Sequence, residues 1–129
     1  MELLLDTHAF LWFITGDRQL PNKIIKLMGD SNNKCFVSIA SIWEIVIKLS
    51  LDKLEIKGGF ETIEDFLENN DFEILPVDFS HTKALLKLEH HHNDPFDRMI
   101  ISQAIAEKLV IVSKDRFFKE YKVKVIWSN

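Results

Sequence analysis

Two tripeptides, Leu3-Leu4-Leu5 and Val110-Ile111-Val112, are apolar at every position. A strand with one face in water alternates polar and apolar residues. A strand that is apolar throughout must be covered on both faces, which is the condition of strands in a parallel sheet. Helical patterns fill the intervals between such runs. Strand signals fall at residues 2–5, 34–37, 72–75, 109–112 and 124–126. Helical signals fall at residues 8–14, 21–28, 39–50, 62–68, 80–89, 94–108 and 116–121. Thr15-Gly16-Asp17, Gly29 with Ser31-Asn32-Asn33, and Gly58-Gly59 mark the breaks between them. Strands alternating with helices in this way predict an α/β fold, with a mainly parallel sheet of about five strands and helices on both faces. Right-handed crossovers then set the ligand-binding loops beyond the carboxyl ends of the strands.

With 129 residues and 47% hydrophobic composition, the chain is expected to form one globular domain spanning 1–129. Ten phenylalanines against one tyrosine suit core filling better than a polar recognition surface. Cys35 is the only cysteine, so no internal disulfide framework exists and a reducing cytoplasm is the expected setting. Its neighbours Phe36 and Val37 predict a buried, inert thiol. The apolar stretch from Leu3 to Ile14 is interrupted by Asp6 and His8 and has no basic region before it, so neither a secretory nor a membrane segment is expected.

Four carboxylates stand at positions where this pattern gathers them. Asp6 directly follows the first strand, and its ordinary role there is to cap the next helix. Glu44 lies among Ile42, Trp43, Ile45, Val46, Ile47 and Leu49, a helix that is apolar nearly all round. A carboxylate inside such a helix is costly unless paired or metal-bound. Two ordinary roles compete for Glu44: a capping box with Ser41, which fails if Ser38 is the true cap, and an i,i+4 pair with Lys48. Asp94-Pro95-Phe96-Asp97 opens a helix, with Asp94 as N-cap and Pro95 in the first position. Asp97 shares a stripe with Ile100, Ile101 and Ala104, so it is expected to face inward while Arg98, Gln103 and Glu107 face solvent. Asp115 follows the fourth strand, where its ordinary role is to cap the helix from Arg116. The Ser113 hydroxyl can bond a carboxylate, a metal-bound water or a phosphate oxygen, although a turn hydroxyl is its commoner use.

Clustered anions repel one another and lose hydration, so the four acids imply a shared dication. Oxygen ligands alone suit Mg²⁺ or Mn²⁺. Thr7, Ser38, Asp94 and Ser113 are the supporting residues. His90-His91-His92 is expected to be a solvated turn, because three consecutive residues cannot all face one ion. There is no glycine-rich phosphate loop, and no nucleophilic Ser or Cys has a histidine partner. The net charge of −4 neither supports nor excludes a nucleic-acid substrate, since removing the four site acids leaves 16 acidic against 16 basic residues.

The residues also resemble a family along almost the whole chain. Leu4-Leu5-Asp6-Thr7-His8, Val37-Ser38, Ser41-Ile42-Trp43-Glu44, His91-His92-Asn93-Asp94-Pro95-Phe96-Asp97-Arg98, Ile101-Ser102-Gln103-Ala104, Val112-Ser113-Lys114-Asp115 and Phe118 are similar, in this order, to PIN-domain proteins of the VapC toxin type. Ser113 replaces a frequent Thr, and Met99 and Ser102 replace commoner Leu and Ala. The resemblance implies a three-layer α/β/α domain and a Mg²⁺- or Mn²⁺-dependent ribonuclease with Asp6, Glu44, Asp97 and Asp115 as acid ligands. It also implies a small antitoxin that reaches the acid pocket with a basic side chain, and a toxin homodimer. The apolar Phe10, Leu11, Trp12 and Phe13 serve either the core or that interface, with core the safer assignment. The rival class is a non-catalytic PIN-like module that binds RNA or a partner. Phosphotransfer folds fit poorly: His8 stands where a phosphatase of the haloacid-dehalogenase type needs a second Asp, and a receiver domain needs an acid pair where only Asp6 is available.

Overall fold

The computed structural model describes residues 1–127. Its elements alternate as expected: β1 (Glu2–Leu5), α1 (Thr7–Thr15), α2 (Asn22–Gly29), β2 (Lys34–Ser38), α3 (Ile39–Ser50), α4 (Glu61–Asn69), β3 (Phe72–Leu75), α5 (Phe79–Lys87), α6 (Pro95–Glu107), β4 (Val110–Val112), a 3₁₀ turn (Arg116–Glu120) and β5 (Val125–Ile126). The sheet is five-stranded, in the order β3-β2-β1-β4-β5, and every pairing is parallel. From β1 the chain winds outward to β2 and β3, then returns to lay β4 and β5 on the other side. The order therefore reverses between β1 and β4, where open parallel sheets form their ligand crevice.

Residue alternation along the strands separates two cores. Leu3, Leu5, Cys35, Val37, Phe72 and Val112 face one layer, which α1 to α4 cover with Phe10, Ile24, Ile45 and Ile63 among others. Leu4, Phe36 and Ile111 face the opposite layer, closed by Ile100, Ile101, Ala104 and Phe118. The strands are apolar on both sides because both sides are covered. Phe10, Phe13, Phe66 and Phe72 pack ring on ring with centroids 4.9 to 6.5 Å apart, which is where much of the phenylalanine goes. Phe10 and Leu11 are buried and Trp12 and Phe13 half-buried against the same core. Cys35 is buried too, and desolvation pushes its thiol up to about 11, as an inert core residue requires.

Local chemistry sets the ends of the elements. Gly16 takes a left-handed conformation (φ 68°) to stop α1, and Gly58 and Gly59 both adopt positive φ in the break before α4. Lys108 ends α6 in the left-handed region without a glycine, at φ 57°. The expected exposure of the far side of α6 is corrected. Arg98 and Gln103 are buried, because α5 packs along α6 and covers the face opposite the sheet. Each makes use of the burial. The Arg98 guanidinium donates to the carbonyls of Leu88, Glu89 and His92, and Gln103 donates to that of Pro76. Glu107 remains exposed. Among the described residues no helix is long and apolar enough to cross a membrane.

Candidate metal centre

The crevice between β1 and β4 receives its acids from four separate elements. Asp6 ends β1 and caps α1: its Oδ1 accepts from the Ala9 amide at 2.8 Å. Its Oδ2 accepts from the Ser113 hydroxyl at 2.6 Å, across 107 positions of sequence. The backbone amide of Asp6 donates to the Val112 carbonyl, so β4 holds this residue through both main chain and side chain. Ser113 Oγ also accepts from the Asp115 amide at 2.9 Å, so one hydroxyl couples two of the acids. Asp115 in turn caps the 3₁₀ turn through Phe117 N. Capping and clustering thus coexist at both positions.

Glu44 enters from α3. Ser38 is the N-cap of that helix, accepting from Ala40 N, so the capping box with Ser41 does not form. The buried Thr7 hydroxyl donates to Glu44 Oε1 at 2.7 Å and lies 3.0 Å from Ser41 Oγ. Lys48 completes the expected i,i+4 pair, 3.3 Å from Oε2. Asp94 caps α6 by accepting from the amides of Phe96 and Asp97, as its sequence position predicts. Asp97 lies in the first turn of α6 with its side chain 22 % exposed, turned toward the other acids.

The electrostatics bear the mark of that gathering. Burial, first of all, pushes the Asp97 carboxyl up to about 8, and the charges of Asp94, Asp6, Glu44 and Asp115 push in the same direction. Asp6 is also raised, chiefly by burial, against the lowering effect of its bonds to Ser113 and Ala9. At neutral pH the cluster therefore retains a proton that an ordinary aspartate would shed. A hard, oxygen-rich and electrostatically strained donor set of this kind fits a divalent cation.

His92 was expected in a solvated turn, and here the structure departs from that expectation. Its neighbours His90 and His91 are exposed, but His92 is folded inward against Phe117 and Phe118. Its Nε2 lies 3.2 Å from Asp97 Oδ2 and 3.6 Å from Asp115 Oδ2, all three within 4.8 Å of one another. The Asp94 amide donates to His92 Nδ1. A neutral ring so bonded carries its proton on Nε2, the atom that faces the two carboxylates. Arg98 is the reason for the inward turn, since its guanidinium clamps the carbonyls of the loop from Leu88 to His92. No periodicity marks a loop residue of this kind, and the sequence held no signal for it, since Arg98 itself reads there as a solvent residue.

Among curated proteins none matches this sequence. Solved structures match the fold over nearly its full length. VapBC2 from Rickettsia felis, bound to a DNA fragment from its promoter, aligns with a TM-score of 0.77 at 20% identity, covering 99% of this chain and 100% of that one. DNA-bound VapBC from Salmonella typhimurium gives 0.75 at 18% identity, covering 98% and 97%. FitAcB from Neisseria gonorrhoeae gives 0.67 at 20% identity and covers 96% of each. The model of the PIN domain family matches residues 3–124, and this chain is a member of that family.

Proposed function

We propose that this protein is a Mg²⁺- or Mn²⁺-dependent ribonuclease that hydrolyses RNA phosphodiester bonds, acting as the toxin of a toxin–antitoxin pair. One observation carries the reading: at the reversal point of the sheet Asp97 is raised to about 8, first by burial and then by the charges of Asp94, Asp6, Glu44 and Asp115 around it. When bound, the ion supplies a Lewis acid that acidifies water and neutralises charge building on the phosphate oxygens. The carboxylates of Asp6, Glu44, Asp97 and Asp115 would hold it. Thr7 fixes the rotamer of Glu44, and Ser113 fixes Asp6 while tethering the Asp115 backbone. Asp97, raised by burial and its acidic neighbours, would hold the ion in its ionised form. His92 Nε2–H steadies Asp97 and Asp115 from the opposite side.

The similar VapBC structures support a small antitoxin partner for this chain as well. Its docking surface is α3 rather than α1. Ile39, Trp43 and Val46 form an exposed stripe at helical spacing beside Glu44, with Trp43 62 % exposed and Phe96 against its edge. A partner laid there would bring a basic side chain within reach of the acids. The homodimer implied by the resemblance is checked by sedimentation of the isolated chain. Incubation of total cellular RNA with and without Mg²⁺, followed by mapping of the ends, tests the activity. Asp6→Asn keeps the α1 cap, so it should fold normally and cut nothing. Cleavage by this variant at the wild-type rate would remove Asp6 from the catalytic set.

A further inference from the structure

Beside the acids runs a cleft of opposite charge. It occupies about 570 Å³ between α2, the 3₁₀ turn and β5, and its walls carry Lys23, Lys114, Arg116, Lys119 and Lys124 around a single carboxylate, Asp115. Five cations facing one acid is a strong local reversal in a chain whose net charge is −4. All five are exposed, and among the described residues none of them is in an ion pair, unlike Lys34 and Lys48. Leaving like charges side by side without acidic partners is unfavourable unless an anion completes them. The cleft is continuous with the metal centre through Ser113 and Asp115. At that junction a second hollow is lined by Asp6, His8, Trp12, Lys114 and Asp115, and the half-buried Trp12 ring packs there against His8 and Trp127. Lys114 Nζ lies 5.8 Å over the Trp12 ring.

We infer that this cleft is the track for the backbone of a single-stranded RNA substrate, its phosphates on the five cations and a base on Trp12, so that the neighbouring phosphate is delivered to the acids. The inference rests on the nuclease reading above and extends it to how substrate is held. Cations in a groove beside an aromatic ring are the combination that binds single strands without reading sequence. An acidic protein segment would use the cations but would leave the tryptophan at the mouth of the acid cluster without a role.

The test uses anisotropy of a labelled single-stranded RNA, in EDTA so that metal-dependent cleavage is silent. Lys23→Glu with Lys119→Glu should weaken binding about tenfold and flatten the log–log salt dependence by about 1.4, the loss of two phosphate contacts on a single strand. Lys53→Glu with Lys57→Glu changes net charge equally, away from the cleft, and should leave both quantities within about twofold of wild type. Equal weakening by the two pairs, or unchanged binding by the first, overturns the inference. So does a first pair that binds RNA normally but no longer retains a co-expressed antitoxin, which would reassign the cleft to protein. Mg²⁺-dependent hydrolysis of bis(p-nitrophenyl) phosphate, too short to span the cleft, tests the acids separately and should be equal in wild type and the Lys53→Glu, Lys57→Glu pair. If wild type fails to hydrolyse it while RNA binding still depends on Lys23 and Lys119, the nuclease reading falls and the RNA track stands.

Discussion

Replacing Asp97 by asparagine removes a charge and almost no volume, which relieves together the burial of that charge and its repulsion by the neighbouring acids. In the metal-free protein the Asp97 carboxyl is pushed up to about 8, against an ordinary value of 3.8. The folded state therefore binds more protons than the unfolded chain between those values. Stability is fully present below the unfolded value, falls as pH rises through the interval and levels off above about 8. At about 1.36 kcal/mol for each pKa unit, the full displacement corresponds to roughly 6 kcal/mol. Solvent reaches the side chain, which is 22 % exposed, so about 2–3 kcal/mol is the expected size. In EDTA at about pH 8.5, Asp97→Asn should thus melt about 10 °C above wild type, and at about pH 5 the difference should shrink to a fraction of that. Saturating Mg²⁺ should reverse the order, raising wild type and leaving the variant nearly unmoved. A variant no more stable than wild type in EDTA at the higher pH would mean that Asp97 carries no cost of burial or repulsion in the folded state, and the case for a cation that relieves it would fail.

Two further perturbations probe the supporting residues. Thr7→Val preserves shape but deletes the donor to Glu44 Oε1, so Mn²⁺ affinity by calorimetry should drop about tenfold to a hundredfold while the melting temperature changes little. Arg98→Met leaves the carbonyls of Leu88, Glu89 and His92 without their shared donor. It should cost about 3 kcal/mol in urea titration and speed amide exchange across that loop; protection equal to wild type would show that Arg98 does not hold it.

The parts of this molecule that could be read in advance are those governed by local chemistry. Doubly apolar runs such as Leu3-Leu4-Leu5 announce covered strands, and Asp94-Pro95 announces a helix start whatever surrounds it. The positions of Asp6 and Asp115 after such strands follow directly. What escaped was set by tertiary neighbours. Arg98 and Gln103 look like solvent residues on a helical wheel, and only the packing of α5 against α6 reverses that assignment. His92 depends on the same packing at one remove. The start of α5 was placed at Ser80 because its capping box pairs Asp78 with His81 in place of the usual Glu or Gln. The exposed stripe on α3 was likewise hidden: Ile39, Trp43 and Val46 are as apolar as Ile42 and Ile45, and only the sheet decides which set it covers.

The bond from Ser113 to Asp6 joins residues that leave the ribosome far apart in time. Until the segment from Val112 to Asp115 has emerged, β1 lacks one neighbour, the Asp6 amide has no acceptor in β4, and the carboxylate lacks its hydroxyl. Any nascent chain still short of that point carries at most three of the four acids. A chain with this architecture therefore assembles its acid cluster only when synthesis of the domain is nearly finished; under the proposed function, an inhibitor made alongside it would have the whole of that interval in which to arrive.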